Sequence, residues 1–203
     1  MKSSFSFIFF VFSVSCIAFA SGGAQDFRQY FLVQTWPPVY CQVHRPEPCR
    51  IKPSKFVLHG LWPVNSSGRS STNTNNQTIN VPAMLESNKS FAAEMNKFWP
   101  ILEEGVEASR QRPRTAITLA KAVNLEAAFR DAGINPDGDG LSEGNYTLAI
   151  VARNGTTPLY KCLNKSLLME VTLCVDTQAI NFVPCIAQRS SLSNCVGDII
   201  WAL

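Results

Sequence analysis

Histidine is scarce in this chain, and its scarcity narrows the chemistry. The 203 residues include only His44 and His59, so a mechanism that relies on imidazole has few candidates. Charged residues make up only 16%, which excludes charge-driven disorder, acidic tails and coiled coils. A net charge of +3 cannot by itself support tight binding to a phosphate backbone. The hydrophobic fraction of 46% is nevertheless enough to bury a core.

Metal-binding patterns are absent from the sequence as well. No two cysteines have the Cys-x-x-Cys spacing that is typical of zinc sites. Residues 135–140 resemble the start of a calcium loop, but the place of its final glutamate is taken by Tyr146. We therefore expect a turn at 135–140 and no metal.

The first twenty residues are typical of a secretory signal peptide. Lys2 provides the positive start, an apolar run covers residues 5–19, and Ala18-Phe19-Ala20 forms a small-x-small cleavage site. A membrane anchor is the alternative, but the run is too short to span comfortably and no second apolar run follows. The sequence predicts a signal peptide at 1–20, a single domain at 21–203, a secreted product and no membrane association after cleavage.

Secretion makes the cysteines candidates for disulfides. Cys16 would leave with the signal peptide, and six cysteines allow fifteen pairings. Proximity in sequence favours a Cys41–Cys49 bridge, and the other four are expected to staple the C-terminal part. Those four are Cys162, Cys174, Cys185 and Cys195.

Six Asn-x-Ser/Thr sequons predict glycosylation in a secreted chain. They begin at Asn65, Asn76, Asn88, Asn145, Asn154 and Asn164.

Strand and helix patterns alternate along the chain without a regular strand–helix–strand rhythm. Strands are predicted at 30–36, 55–58, 147–151 and 169–175, and helices at 90–99, 115–123 and 125–132. Such a mixture favours an α+β domain with a mainly antiparallel sheet.

One segment carries a chemical signal: Phe56-Val-Leu-His59-Gly-Leu-Trp62-Pro63. A histidine here leaves a predicted strand, Gly60 allows close approach of a substrate, and Trp62 follows three residues later. By itself, a lone histidine at a strand end is more often structural than functional.

This segment resembles the first active-site motif of the ribonuclease T2 family, and other segments agree. Residues 34–41 resemble the family's N-terminal strand and first cysteine, residues 98–100 its Trp-Pro after the first long helix, and residues 170–176 its C-terminal core strand. With the sequons, the resemblance is greatest to plant S-RNases and S-like RNases. It implies a disulfide-stapled α+β fold and the pairings Cys162–Cys195 and Cys174–Cys185.

The resemblance also implies a reaction and a partner. The family cleaves single-stranded RNA by acid–base catalysis through a 2′,3′-cyclic phosphate, without a metal or other cofactor. His59 matches the family's general acid, and Trp62 would help to shape the phosphate site. We expect strand 55–59 to be central in the sheet, with His59 on a concave surface beside Trp62. We expect a monomer.

The chain departs from the family at the second active-site motif, Phe-Trp-x-x-Glu-Trp-x-Lys-His-Gly-Thr-Cys. No histidine follows His59, and neither Lys97 nor Glu103-Glu104 reproduces the motif. His44 lies in a proline-rich stretch between two cysteines and is expected to be an exposed loop residue. We therefore expect impaired cleavage and no Lys–Glu pair or second histidine beside His59. The alternative is an inactive secreted glycoprotein that acts by recognition, with a protein partner bound through the variable loops, or a relic without function.

Overall fold

The computed structural model describes residues 27–43, 49–69, 81–102, 112–186 and 193–203, without the side chains of 81, 82 and 84. The predicted signal peptide, the sequon at Asn76, His44 and Glu103-Glu104 lie outside these ranges. The elements follow in chain order as β1 (Gln29–Thr35), α1 (Pro37–Val43), β2 (Val57–Val64), α2 (Val81–Ser87), α3 (Lys89–Phe98), α4 (Pro113–Val123), α5 (Leu125–Asp131), β3 (Asp137–Ser142), α6 (Glu143–Asn154), β4 (Leu159–Leu163), β5 (Leu167–Val175) and β6 (Asp198–Ala202).

The described strands form one sheet in the order β2-β1-β5-β6-β3, and β4 pairs with β5. Every pairing is antiparallel except the single bridge between β5 and β6. This is the α+β architecture that the sequence predicts. The position of the histidine strand is different from the prediction, however. We expected residues 55–59 to be central, whereas β2 pairs only with β1 among the described strands. The central place belongs to β5, which is flanked by β1 on one side and by β4 on the other.

The two faces of the sheet bury different sets of side chains because successive residues of a strand point to opposite sides. On β1, Tyr30 and Leu32 join the large core formed with the helices. Phe31 and Val33 point to the other side, into a smaller cluster that contains Cys174. Thr35 follows Val33 by two residues on β1, so its side chain also points to this second face.

Helices α3 to α6 cover the first face. Helix α3 begins at Asn88, whose side chain accepts a hydrogen bond from the Phe91 amide at 2.9 Å, which satisfies one of the unpaired amides of the first turn. Between α5 and β2, the Glu126 carboxylate accepts a hydrogen bond from the Phe56 amide. Burial raises the pKa of Glu126 and outweighs that hydrogen bond.

Two local predictions are wrong. Residues 147–151, expected as a strand, lie within α6, where Tyr146, Ala149 and Ile150 are buried at helical spacing. The β-branched run there is too short to separate strand from helix, and its neighbours complete the helical period. Residues 135–140, expected as a turn, lead into β3, whose polar residues pair with β6 at the edge of the sheet.

Three disulfides hold the described chain together, and they are the three pairings that the sequence and the family resemblance predict. The Cα atoms lie 5.6 Å apart in Cys41–Cys49, 5.1 Å in Cys162–Cys195 and 5.2 Å in Cys174–Cys185. Cys162–Cys195 links β4 to the segment before β6, and Cys174–Cys185 links the end of β5 to the loop that follows it.

No helix within the described ranges has the length and apolar character needed to cross a membrane.

Candidate active site

His59 occupies a β-bulge in β2. Gln34 pairs with Leu58 and Val33 pairs with Gly60, so that His59 is the extra residue between two matched pairs. A bulge bends a strand locally and re-aims the side chain of the extra residue. The irregular register thus explains how an edge strand directs its imidazole toward β5.

The target of the imidazole is a buried carboxylate. His59 Nδ1 lies 2.6 Å from Glu170 Oε1, and the exposed fractions of the two side chains are 34% and 7%. Thr35 Oγ1 donates to the same oxygen at 3.2 Å, and Lys161 Nζ lies 3.3 Å from Oε2. Glu170 therefore binds one hydroxyl, one ammonium and one imidazole.

The strand register places these partners around the carboxylate. On β5, Glu170 lies opposite Thr35 of β1 on one side and opposite Lys161 of β4 on the other. Directly opposed residues of antiparallel strands have side chains on the same face at short range. The row Thr35–Glu170–Lys161 is consequently built by the sheet itself, and His59 reaches it from β2.

The electrostatics favour an ionised carboxylate. Burial by itself raises the pKa of Glu170, but the hydrogen bond and charge of His59 and the ammonium of Lys161 outweigh it, so the pKa is lowered. An ionised carboxylate only accepts hydrogen bonds, which means that His59 Nδ1 carries a hydrogen. The opposite ring nitrogen, Nε2, has no hydrogen-bond partner among the residues that the structure describes. It is the nitrogen left to exchange a proton with a ligand.

Two aromatic side chains stand beside the imidazole. The ring centroid of Trp62 lies 6.1 Å from that of His59, and the ring of Tyr40 lies 5.8 Å away, both edge to face. The Trp62 indole rests on the backbone at Gly60: a Cβ there would lie 2.8 Å from its Cζ2, and closer still to Nε1 and Cε2. Only glycine allows this arrangement without moving the indole.

The structure brings the two predicted site residues together and adds a pair that the sequence analysis did not expect. His59 and Trp62 are neighbours, as expected. The expectation that no Lys–Glu pair lies beside His59 is wrong, because Lys161 and Glu170 come from strands β4 and β5. A signal for Glu170 was present, since a carboxylate within an apolar strand is almost never fully buried without a partner. Lys97 lies elsewhere, against Phe98 on α3.

The described sequons all lie at the surface to some degree. Asn65 follows β2, Asn88 caps α3, Asn145 and Asn154 belong to α6, and Asn164 lies in the turn between β4 and β5. In the described part of the chain, no group of three or more His, Cys, Asp or Glu side chains is arranged to hold a metal ion.

Comparison with known proteins identifies the class. The model of the Ribonuclease T2 family matches residues 27–112. Intracellular ribonuclease LX of Solanum lycopersicum is 30% identical, over 91% of this chain and 88% of its own. Extracellular ribonuclease LE of the same species is 26% identical over 91% of both chains, and Ribonuclease S-4 of Pyrus pyrifolia is 28% identical over 89% of this chain and 86% of its own. The chain belongs to the Ribonuclease T2 family, and its relatives include plant S-RNases.

The fold agrees with solved structures of this family. The crystal structure of RNase NT in complex with 5′-AMP has a TM-score of 0.69 at 24% identity, and covers 88% of this chain and 99% of its own. Japanese pear S3-RNase has the same TM-score at 20% identity, over 86% of this chain and all of its own.

Proposed function

We propose that this protein is a secreted endoribonuclease of the T2 type that binds single-stranded RNA at His59 and Trp62 and cleaves it slowly through a 2′,3′-cyclic phosphate. The observation that carries the proposal is the imidazole geometry. Nδ1 is held by a buried carboxylate, Nε2 has no hydrogen-bond partner among the described residues, and an indole stands beside the ring. Proton transfer at Nε2 can serve one of the two proton transfers that phosphate-ester cleavage in RNA requires, and the aromatic surface offers a base a place to stack.

The proposed slowness follows from the shortage of proton-transfer groups. The reaction removes a proton from the ribose 2′-hydroxyl and delivers one to the leaving 5′-oxygen, and the sequence has no histidine after His59. One positioned acid or base contributes about 10²–10⁴-fold to the rate. We expect cleavage to be at least about a hundredfold slower than in a family member with both active-site motifs.

A cleavage assay with matched histidine variants tests this function. The mature protein is incubated with a single-stranded oligoribonucleotide, and the products are examined for 2′,3′-cyclic phosphate ends. His59→Ala should lower the residual rate, whereas His44→Ala should leave it unchanged. A rate that depends on His44 would reveal a compensating base and overturn the assignment of the chemistry to His59 alone. A near-normal rate in the unmodified chain would overturn the proposed impairment.

The second candidate function is recognition without catalysis, and the absent second motif favours it. A secreted glycoprotein of this kind would bind RNA or a protein through the remaining groove and the variable loops. If this function is correct, titration calorimetry should detect mononucleotide binding. The cleavage assay should detect no activity that His59→Ala reduces. A relic would show neither binding nor cleavage.

Secretion, glycosylation and a monomeric state belong to the same proposal. The extracellular relative from Solanum lycopersicum supports secretion, although its intracellular relative shows that both locations occur in related proteins. Surface exposure of the described sequons supports glycosylation. All three can be tested by expression in plant cells. Intact-mass analysis of the culture medium, with and without glycosidase, tests secretion and glycosylation, and light scattering tests the monomeric state.

A further inference from the structure

A buried carboxylate that no part of the expected chemistry uses is the most informative group in the described structure. Glu170 lies at the centre of the sheet with its side chain 7% exposed, next to a histidine on an edge strand. Burying a charge costs several kcal/mol unless it is paired and hydrogen-bonded. The three partners of Glu170 offset the cost of burying its charge.

The orientation of Glu170 does not depend on His59. Thr35 and Lys161 belong to the two strands that flank β5, and each bonds a carboxylate oxygen across a matched register pair. The sheet thereby holds the carboxylate from both sides. His59, in contrast, belongs to a bulge on the edge and keeps 34% of its side chain exposed. The rigid partner is the carboxylate, and the group being oriented is the imidazole.

We propose that Glu170 is a positioning residue for His59: with Lys161 as its counter-charge, it holds the ring with Nδ1–H inward and supports the imidazolium that donates from Nε2. This inference rests on the proposed function and assigns its acid. The carboxylate and ammonium come from strands β5 and β4, a different place in the chain from the absent second motif.

The reaction step that follows is balanced. The 2′-oxygen forms a bond to phosphorus and its proton passes to water. The bond from phosphorus to the 5′-oxygen breaks, and the Nε2 proton of the His59 imidazolium passes to that oxygen. The neutral ring keeps its Nδ1–H bond to Glu170 and regains a proton at Nε2 from solvent. The carboxylate stays ionised throughout, as the corresponding aspartate does in serine-protease triads.

The charged and titratable groups around the ring are few in the described structure. Glu170 of β5 bonds the ring directly, and Lys161 of β4 bonds the same carboxylate. Tyr40 of α1 and Trp62 of β2 contribute aromatic edges. Glu170 is the charged group that bonds the ring, and removal of its charge should shift the loss of activity at high pH to lower pH.

Two substitutions at Glu170 and one control separate positioning from structure. Glu170→Gln keeps the shape and an acceptor for Nδ1–H but removes the charge, and Glu170→Ala removes both. Glu94→Gln is the matched control, because Glu94 forms an exposed pair with Lys121 away from the site. Circular dichroism and thermal unfolding establish that each variant is folded, and the isosteric glutamine variant is the one expected to retain the fold.

The first measurement is the nitrogen spectrum of the imidazole by NMR, with His44→Ala as the background so that one histidine remains. It does not depend on catalysis. In the parent protein the neutral ring should carry its hydrogen on Nδ1, and Glu170→Ala should shift it toward Nε2. A neutral ring that carries hydrogen on Nε2 in the parent, or that is unchanged by Glu170→Ala, would overturn the positioning role.

The second measurement is the pH profile of cleavage. Glu170→Gln should lower kcat at least about tenfold with KM unchanged and move the alkaline limb to lower pH, whereas Glu94→Gln should match the parent. When Glu170→Gln is combined with His59→Ala, kcat should fall no further than in His59→Ala alone, because the two residues act as one unit. An unchanged profile in Glu170→Gln refutes the inference. Absence of cleavage in the parent refutes the proposed function instead, and the ring spectrum then decides the inference.

Discussion

Gly60→Ala is the substitution whose consequence the structure specifies most sharply. The added Cβ would lie 2.8 Å from Cζ2 of the Trp62 indole, with Nε1 and Cε2 closer still, and real Cβ atoms do not approach other heavy atoms under 3.0 Å. Gly60 does not have a positive φ, so the backbone itself accepts alanine. The whole effect should arise from displacement of the indole from its place beside His59.

The size of the effect follows from the cost of overpacking. An extra methyl group in a filled site costs about 1–3 kcal/mol. For a domain of this length, each kcal/mol corresponds to about 2–4 °C in Tm, which gives a loss of about 2–12 °C. Because Trp62 is only partly buried, we expect the lower half of this range. Binding of 5′-AMP should weaken as well, since the proposed RNA site uses the indole.

A double-mutant cycle isolates the contact. Gly60→Ala is made in the parent and in Trp62→Ala, and urea unfolding gives the free energy of each variant. The penalty should largely disappear in the Trp62→Ala background. Gly144→Ala is the control, because a Cβ there meets only Ser142 Oγ, at an ordinary 3.5 Å, and the change should be neutral or slightly stabilising. An equal penalty for Gly60→Ala in both backgrounds would refute the reasoning.

Three further predictions concern stability, each measured by urea unfolding. The raised pKa of Glu126 means that this carboxyl binds its proton more tightly in the folded state than in the unfolded chain, so it lowers stability as pH rises. The free energy of unfolding of Glu126→Gln at pH 7 should therefore equal or exceed that of the parent. A lower value at pH 7 would contradict this. Replacing both cysteines of a bridge by alanine should lower the free energy of unfolding by about 3.5 kcal/mol for Cys162–Cys195 and by about 2.5 kcal/mol for Cys41–Cys49. The first loss is larger because that bridge closes the longer loop. The reverse order would contradict this entropic explanation. Asn88→Ala should lower the free energy of unfolding by about 1 kcal/mol, because α3 loses its N-cap. Ser90→Ala is the control, since it removes the same sequon but keeps the cap. Equal losses in the two variants would show that the glycan was responsible.

The helices and strands that could be predicted are those with a long, unambiguous pattern. The helix at 115–123 has several apolar residues at helical spacing, and α4 follows it closely. Strand β5 contains the segment predicted as a strand at 169–175, in which Val171, Leu173 and Val175 share one face. Helix α6 was missed because the five residues at 147–151 fit the period of a strand as well as that of a helix. The helical period is set by burial of Tyr146, Ala149 and Ile150 in the main core.

The role proposed for His59 rests on a local motif, because the histidine, Gly60 and Trp62 are neighbours in one strand. Its partner could not be predicted in this way. Glu170 is 111 residues away from His59, and the two meet only because β1 lies between β2 and β5 and because a bulge turns the imidazole. Lys161 joins them through the register of β4 against β5.

The sequence by itself determined which groups exist: one histidine in a segment that resembles a family active-site motif, six cysteines outside the predicted signal peptide, and no histidine after His59. It also indicated the family, because the residues of a short, distinctive motif lie close together in the sequence and can be recognised without a structure. The tertiary structure alone decided that β5 is central, that β2 is at the edge, and that the imidazole has a buried, doubly anchored carboxylate as its partner. The physical reason is that strand order and register are set by contacts between residues far apart in the chain, and a one-residue bulge is enough to redirect a side chain.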